Sequence, residues 1–479
     1  MNTIKEKKGL NISAKSFITA IVIIFILMVL TYVLTFLVPG GEYTRIIDAN
    51  GNLVIDVTGE FALVAGGISF WKWLLSPILV LGAEGNGSLI AVIIFLLVLG
   101  GVFNSLDQCG LMRYLLQRIT FRFGASKYRL MACVTLFFMA MGSFIGSFEE
   151  CVPLVPIVVA LAVGLGWDAL TGVGMSLLAA GCGFAAGICN PFTVGVAQEL
   201  AGLPMFSGMW FRVIGFGLIY GLLLVFLFRY AKRIDKTGQE QGQVDGLGAH
   251  KPKNIIFVAD RQMDKGVFFF AAIVGLGIVF VLSSVFVTVL QDYTMIIVAV
   301  MFLVAGITAV SISGTKARTL GSTFWNGLVS VLPAVLMILM ANSIKYTMTE
   351  AHILDTILHS AVTAAAVLPK WAVILFIYLL VLVMNFFIPS GSAKAFLMIP
   401  LIVPVAQVFG ISAQLCVLAY AFGDGFSNAF YPTNPVLLIS LGLADVNYGT
   451  WARWSGKFQI LNLMLTGALL LVGLVIGYC

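Results

Sequence analysis

Apolar runs of roughly twenty residues, parted by short polar or charged joints, recur along the chain from Ser16 onward. A helix of that length crosses about 30 Å of hydrocarbon, so the pattern predicts spans near 16–38, 88–106, 207–229, 266–290, 293–313, 321–343 and 450–478. Two further stretches, 127–200 and 367–445, are apolar but are broken repeatedly by Gly, Pro, Asn and charge. The segment Phe70-Trp71-Lys72-Trp73, with Pro77 beyond, has the aromatic anchors of an interfacial segment; the pattern leaves open whether it spans. The first run follows Lys5, Lys7, Lys8 and Lys15 and is longer than the ~7–15-residue core of a signal peptide. It reads as a retained spanning helix that ends at Pro39-Gly40-Gly41.

Composition agrees with a polytopic membrane protein. Of 479 residues, 60% are hydrophobic and 10% charged, and mean hydropathy is +1.06; soluble domains carry about 25% charged residues. The formal charge of +6 does not indicate nucleic acid, because the basic residues sit between apolar spans, where the positive-inside rule expects them. Seven cysteines, an odd number without a CxxC, fall mostly in apolar segments and argue against a disulfide frame or a zinc site. There is no HExxH, GxSxG or GxxxxGK[ST], so neither a standard enzyme nor an ATP-driven pump is indicated.

Charge also predicts topology. Arg113, Arg118, Arg122, Lys127 and Arg129 cluster after the second span, and a second basic group fills the polar segment 231–265. Placing both clusters and the N-terminus in the cytoplasm requires 127–165 to enter and leave from one side, as a re-entrant helical hairpin. By the same logic 367–409 is a hairpin opening outside, and the C-terminus lies outside.

Sliding the chain by 244 residues aligns the two broken regions without a gap. Pro156 falls on Pro400, Gly166 on Gly410, Gly181 on Gly425, and Asn190-Pro191 on Asn434-Pro435. A short amphipathic helix precedes each hairpin, and an Arg follows later in each half, at Arg212 and Arg453. The predicted organisation is therefore all-α, an inverted repeat of spanning helices with two re-entrant hairpins and two broken helices. The first repeat covers 1–230, with its hairpin near 127–165 and its broken helix near 169–200. Residues 231–265 form a cytoplasmic linker. The second repeat covers 266–479, with its hairpin near 367–409 and its broken helix near 412–445. Such repeats place a substrate near the midplane, between broken helices, in secondary transporters.

Four polar breaks are expected to converge there. The first hairpin tip carries Ser147, Glu149 and Glu150. A carboxylate at membrane depth costs about 2.5–3.5 kcal/mol on insertion scales, which a cation, a proton or a basic substrate would offset; the plainer alternative is a solvated loop. The second tip is Pro389-Ser390-Gly391-Ser392-Ala393-Lys394, where helix-start amides and Lys394 suit a carboxylate, unless Lys394 snorkels to headgroups. The third and fourth breaks hold Asn190, Pro191 and Thr193, and Thr433, Asn434 and Pro435. Proline splits a helix, and the freed oxygens are candidate sodium ligands, with Ser147, Asn190, Ser392 and Asn434 as the set; a bare proline kink is the alternative. Asp424 and Asn428 share a helix face leading into the fourth break, where Asp424 either joins the site or packs against Lys394. Charged groups of both signs suit a zwitterion, whereas a dicarboxylate would leave the Glu pair to ions or protons.

At Phe148-Glu149-Glu150, Asn190-Pro191-Phe192, Ile388-Pro389-Ser390-Gly391-Ser392-Ala393-Lys394 and Phe422-Gly423-Asp424-Gly425-Phe426-Ser427-Asn428, the chain resembles the YfcC branch of the C4-dicarboxylate anaerobic carrier-like family, within the ion transporter superfamily. The resemblance covers most of the chain apart from the linker and the N-terminal tail. It implies a scaffold plus a transport domain of two hairpins and two broken helices, an elevator-type mechanism, a homodimer and the bacterial inner membrane. Among the solutes it implies, the charge pairing at the tips favours an amino acid, in arginine/ornithine-type exchange, with a small carboxylate as the alternative; sodium or protons are the implied coupling ions, with no other cofactor. No residue separates these substrates. The rival classes are a channel, which would more naturally be a symmetric oligomer, and an intramembrane enzyme using Glu149 and Glu150 as acid and base, for which no nucleophile or metal set is present in the sequence.

Overall fold

The computed structural model describes residues 14–47, 53–55, 61–83, 87–112, 114–115, 118, 126–146, 148–204, 206–244, 260–283, 294–365 and 368–479. Within them, eight helices are long and apolar enough to cross a membrane, among them Leu89–Gln108, Met209–Thr237, Lys370–Phe387 and Tyr448–Val475. Phe268, Leu276 and Met464 are among many large apolar side chains left on the outside, as expected where the surrounding solvent is lipid rather than water. The chain is a multi-span membrane protein built almost wholly of helices.

The helices form two packing groups. Gly87–Gln108, Arg261–Ser283, Thr294–Ile312 and Ala317–Ser330 pack on one another. The interrupted segments of 127–200 and 370–443 pack together, and the long helices Met209–Val244 and Tyr448–Val475 lie against them. Between the groups, Ala14–Leu37 packs on Leu332–Glu350, which also touches Pro435–Leu443.

Four local features differ from, or sharpen, the sequence expectation. The polar stretch after the first helix contains two short antiparallel strand pairs, Gly41–Tyr43 with Phe61–Leu63 and Arg45–Ile47 with Leu53–Ile55. Gly40 makes this return tight, since a Cβ on it would stand 2.6 Å from the Gly66 Cα. The aromatic segment does not span: Phe70–Leu74 and Ser76–Leu79 are short helices beside the first span, where Trp73 stacks on Tyr32 and donates to the Met28 carbonyl. The run near 321–343 is two helices broken at Val331, where Pro333 sits in the first turn of the second and costs no intrahelical bond. The expected linker, 231–265, is helical at both ends: Met209–Val244 continues into it through residues whose Ala, Lys, Arg, Glu and Gln favour helix, and the next helix starts within it at Arg261; 245–259 lie outside the described residues.

The 244-residue register is visible in the caps. Gly166 and Gly410 both adopt positive φ (+89° and +68°) at corresponding helix ends. Asp168 and Ser412 each accept a hydrogen bond from the amide three residues on. Asn190 Oδ1 caps the amides of Phe192 and Thr193, and Asn434 Oδ1 caps those of Val436 and Leu437. The two copies also meet reciprocally. A Cβ on Gly181 would contact the Ala429 methyl at 3.1 Å, and one on Gly425 would stand 2.1 Å from the Ala185 Cα. In the same register residues 181 and 185 fall on 425 and 429, so each contact is the image of the other, as across a two-fold axis.

Candidate functional site

The first hairpin tip follows Lys127–Ala140 and a wide helical turn, Met141–Ile145. Gly146 leaves the helix with φ +77° and lies where a Cβ would strike Asn190 Oδ1 at 2.3 Å, so tip and first break touch. Ser143 reinforces the contact: its hydroxyl accepts from the Ile188 amide at 3.0 Å and its carbonyl from the Cys189 amide at 3.1 Å. Ser147 lies outside the described residues. Glu149 is half-buried, at the start of a tight turn, Glu149–Leu154; Glu150 lies in the same turn. The carboxylates of Glu149 and Asp424 are close enough for their charges to interact.

At the second tip, Lys370–Phe387 ends, residues 388–390 leave the helix, and Gly391–Val408 begins with Ser390 as its cap. Gly391 is buried in a three-way contact, since a Cβ there would meet the Thr193 methyl at 2.7 Å and Asp424 Oδ2 at 2.8 Å. The second tip, the first break and the helix before the second break therefore meet at one point. Tyr420 holds the tip there by donating from its hydroxyl to the Gly391 carbonyl. Ser392 is half-buried and Ser390 exposed.

Lys394 is fully buried and does not reach for headgroups. Its Nζ donates to Asp424 Oδ1, to Asn385 Oδ1 and to the Ile388 carbonyl, and it stands 5.9 Å from the Tyr420 ring centroid. Asp424 thus is the partner of Lys394 and, through Oδ2, also lines the junction at Gly391. In the repeat register Glu150 corresponds to Lys394, so the two tips carry opposite charges at equivalent sequence positions.

A chain of amides runs from here to the second break. Asn385 Nδ2, with two hydrogens to share, has the Asp424 carbonyl, Ser427 Oγ and Asn428 Oδ1 within hydrogen-bond reach. Asn428 Nδ2 donates to the Asp424 carbonyl at 2.8 Å, and Asn434 Nδ2 donates to Asn428 Oδ1 at 3.0 Å. Asn190 and Asn434 each direct their side-chain oxygen to two main-chain amides, which engages both lone pairs and disfavours those oxygens as sodium ligands. Among the described residues no cluster of three or more His, Cys, Asp or Glu could hold a metal ion.

Asn190 Nδ2, Thr193 Oγ1, Asp424 Oδ2 and Thr433 Oγ1 are buried without a hydrogen-bond partner among the described residues. Buried polar atoms are nearly always paired; other unpaired atoms, such as those of Asn462 and Ser440, lie elsewhere, and these four are distinguished by their place at the two breaks and the junction, where a polar solute could meet them. All four belong to residues singled out from sequence. Asn385 and Tyr420 do not: the signal for Asn385 was a lone amide in the apolar run before the tip, which in a membrane helix indicates a polar partner. Arg212 stands out in the sequence only as a repeat marker. It is buried, its Nε and Nη2 donate to the Ile188 carbonyl beside the first break, and its Nη1 donates to the Tyr478 hydroxyl. Arg453, the other marker, is exposed.

Residues 17–475 match the profile of the C4-dicarboxylate anaerobic carrier family, DcuC. The chain is similar to YfcC of Escherichia coli K12, a protein named as a proposed basic amino acid antiporter, with 28% identity over 82% of this chain and 79% of that one. A Haemophilus influenzae Rd protein whose name gives no role is 24% identical over 98% of both chains. Among solved structures, the YdaH transporter of Alcanivorax borkumensis aligns with TM-score 0.42 and 19% identity, over 96% of this chain and 98% of that one. MtrF of Neisseria gonorrhoeae, described with a class of antimetabolite efflux pumps, aligns with TM-score 0.41 and 15% identity over 95% of both.

Proposed function

The chain belongs to the C4-dicarboxylate anaerobic carrier family, and from that premise we propose that it is an inner-membrane secondary transporter that exchanges cationic amino acids of the arginine and ornithine type. The observation that carries the substrate class is the pairing of Lys394 with Asp424. Lys394 has its charge matched inside the protein, so it is poorly free to bind a substrate carboxylate. With that pair neutral, an ionised Glu149 leaves the junction net negative, and the unpaired second oxygen of Asp424 adds an acceptor there. A substrate ammonium or guanidinium offsets that charge, while the helix start at Gly391 and Ser392 offers main-chain amides to the α-carboxylate. The name of the Escherichia coli relative points the same way.

A small dicarboxylate is the second reading, favoured by the family's own description. It would bring two negative charges to Glu149 and Asp424, and so needs protons or sodium to enter with it.

Transport is proposed to be elevator-like, in a homodimer, with the hairpins, broken helices and their packed long helices moving against the four-helix group. The reciprocal Gly181 and Gly425 contacts, which hold the two broken helices at backbone distance, support that reading. The test is uptake of labelled arginine into proteoliposomes loaded with unlabelled ornithine, with succinate as the competing solute. Internal ornithine is expected to stimulate arginine uptake severalfold, and Glu149→Gln to raise KM for arginine. Uptake of succinate without arginine would transfer the assignment to the dicarboxylate reading.

A further inference from the structure

We propose that Lys394 is a tethered cation: its ammonium occupies a monovalent-cation site made by Asp424 Oδ1, Asn385 Oδ1 and the Ile388 carbonyl, so that no sodium ion is needed there. An ammonium has three N–H donors and no acceptor. The cradle supplies three oxygens from two separate segments, with the Tyr420 ring on a further side, within the ~6 Å of a cation–π contact. The main-chain oxygen is available because the helix ends at Phe387 and residues 388–390 turn away.

The oxygens are aimed by main-chain groups at the other end of an amide relay. The Val436 and Leu437 amides require the oxygen of Asn434, so its nitrogen faces Asn428. The Asp424 carbonyl requires the nitrogen of Asn428, so its oxygen faces Asn434 and Asn385. The nitrogen of Asn385 must then serve Asn428 Oδ1 and the Asp424 carbonyl, which leaves its oxygen on Lys394. Each amide orientation follows from the one before, and the relay ends in an oxygen directed at a positive charge. An ion pair serving only to pack two helices would not need Asn385 oriented in this way. The fourth oxygen, Asp424 Oδ2, has no partner among the described residues and adds to the cation's surroundings.

This deepens the transporter reading and rests on it only for its consequence, exchange that does not depend on sodium at this site. The cation site itself is tested without a substrate. Full-length purified protein is melted in sodium chloride, in choline chloride, and in choline chloride with methylammonium. Wild type is expected to melt at the same temperature in all three. Lys394→Ala is expected to melt lower in choline and to regain several degrees with sodium and with methylammonium, and Lys394→Ala/Asp424→Asn to lose that response. Where Lys394→Ala does not yield folded protein, Lys394→Met keeps most of the stem and is compared in the same way. A wild type stabilised by sodium as strongly as the variant, or a variant indifferent to both cations, overturns the proposal. Failure of arginine exchange in proteoliposomes would remove the substrate reading and leave the melting result standing.

Discussion

Gly425 lies against Ala185 so closely that a Cβ on the glycine would stand 2.1 Å from both the Ala185 Cα and its amide nitrogen. Small residues let membrane helices approach at backbone distance where no hydrophobic effect drives them together. The partner glycine of the repeat, Gly181, is less tightly placed, with the Ala429 methyl at 3.1 Å. The two substitutions are therefore expected to differ. Gly425→Ala forces backbone apart and should cost at least the ~1–3 kcal/mol of an overpacked core, whereas Gly181→Ala needs only a slight displacement of the Ala429 Cβ with the helix that carries it. Melting temperatures of the two variants in detergent check this, and equal losses would mean that the crossing is looser than the contacts indicate.

A second close approach lies within the site. Gly391→Ala places a methyl against both the Thr193 methyl and Asp424 Oδ2, which should displace the second tip from the first break. Transport is expected to fall by at least tenfold while membrane insertion is retained. Thr193→Ser removes one of the two obstructing groups, so the double variant should recover part of the uptake. A double variant no better than Gly391→Ala would show that Asp424 alone sets the restriction.

Much of this arrangement was legible because polar residues in an apolar chain are few and each interruption is informative. The Asn-Pro pairs revealed both broken helices, since proline removes a donor and asparagine caps the helix that restarts. Lys394 and Asp424 stood out as charges in apolar runs. Their pairing was one of two readings for Asp424, because a helix face gives direction but not the distance between elements thirty residues apart. The relay through Asn385 depended on where the first arm of the hairpin passes, which no local pattern encodes. The strand pairs at 41–63 were missed because three-residue strands carry almost no alternation to read.

Arg212 is expected to be a structural clasp. It covers the Ile188 carbonyl at the first break and reaches the Phe206 carbonyl and Tyr478. Arg212→Gln removes most of these charged donors, at roughly 1.5–3 kcal/mol for a hydrogen bond to a charged group, and should give poorly folded protein. Tyr478→Phe deletes a hydroxyl that donates to the Gly208 carbonyl and accepts from Arg212 Nη1 and Gln414 Nε2, but it leaves Arg212 bonded to the Ile188 and Phe206 carbonyls and should cost less than the loss of the guanidinium. Thermal melts of both, beside wild type, measure the difference; equal losses would place the energy in Tyr478 rather than in the cation.

On the strand-bearing side, Asp355 is nearly buried and accepts from the Arg45 guanidinium at 2.8 Å and the Tyr43 amide at 3.1 Å. Asp355→Asn should weaken both contacts and lower stability by about 1–3 kcal/mol. The pair lies outside the junction of the breaks, so KM for the transported solute should not change. A KM shift in this variant would extend the site to the strand pairs.

The two cap asparagines offer the sharpest separation of stability from transport. Each loses a helix cap on replacement by alanine, at about 1 kcal/mol. Asn434 also donates to Asn428, so Asn434→Ala removes a second hydrogen bond, worth about 1 kcal/mol more, and loosens the relay that orients Asn385. The nitrogen of Asn190 has no partner among the described residues, so Asn190→Ala loses the cap alone. If that nitrogen serves the solute, Asn190→Ala should raise KM strongly with a modest drop in melting temperature, and Asn434→Ala should do the reverse. Kinetics and melts on the same preparations decide the matter: an unchanged KM in Asn190→Ala would remove its amide from the binding site and leave Thr193 as the first break's contact.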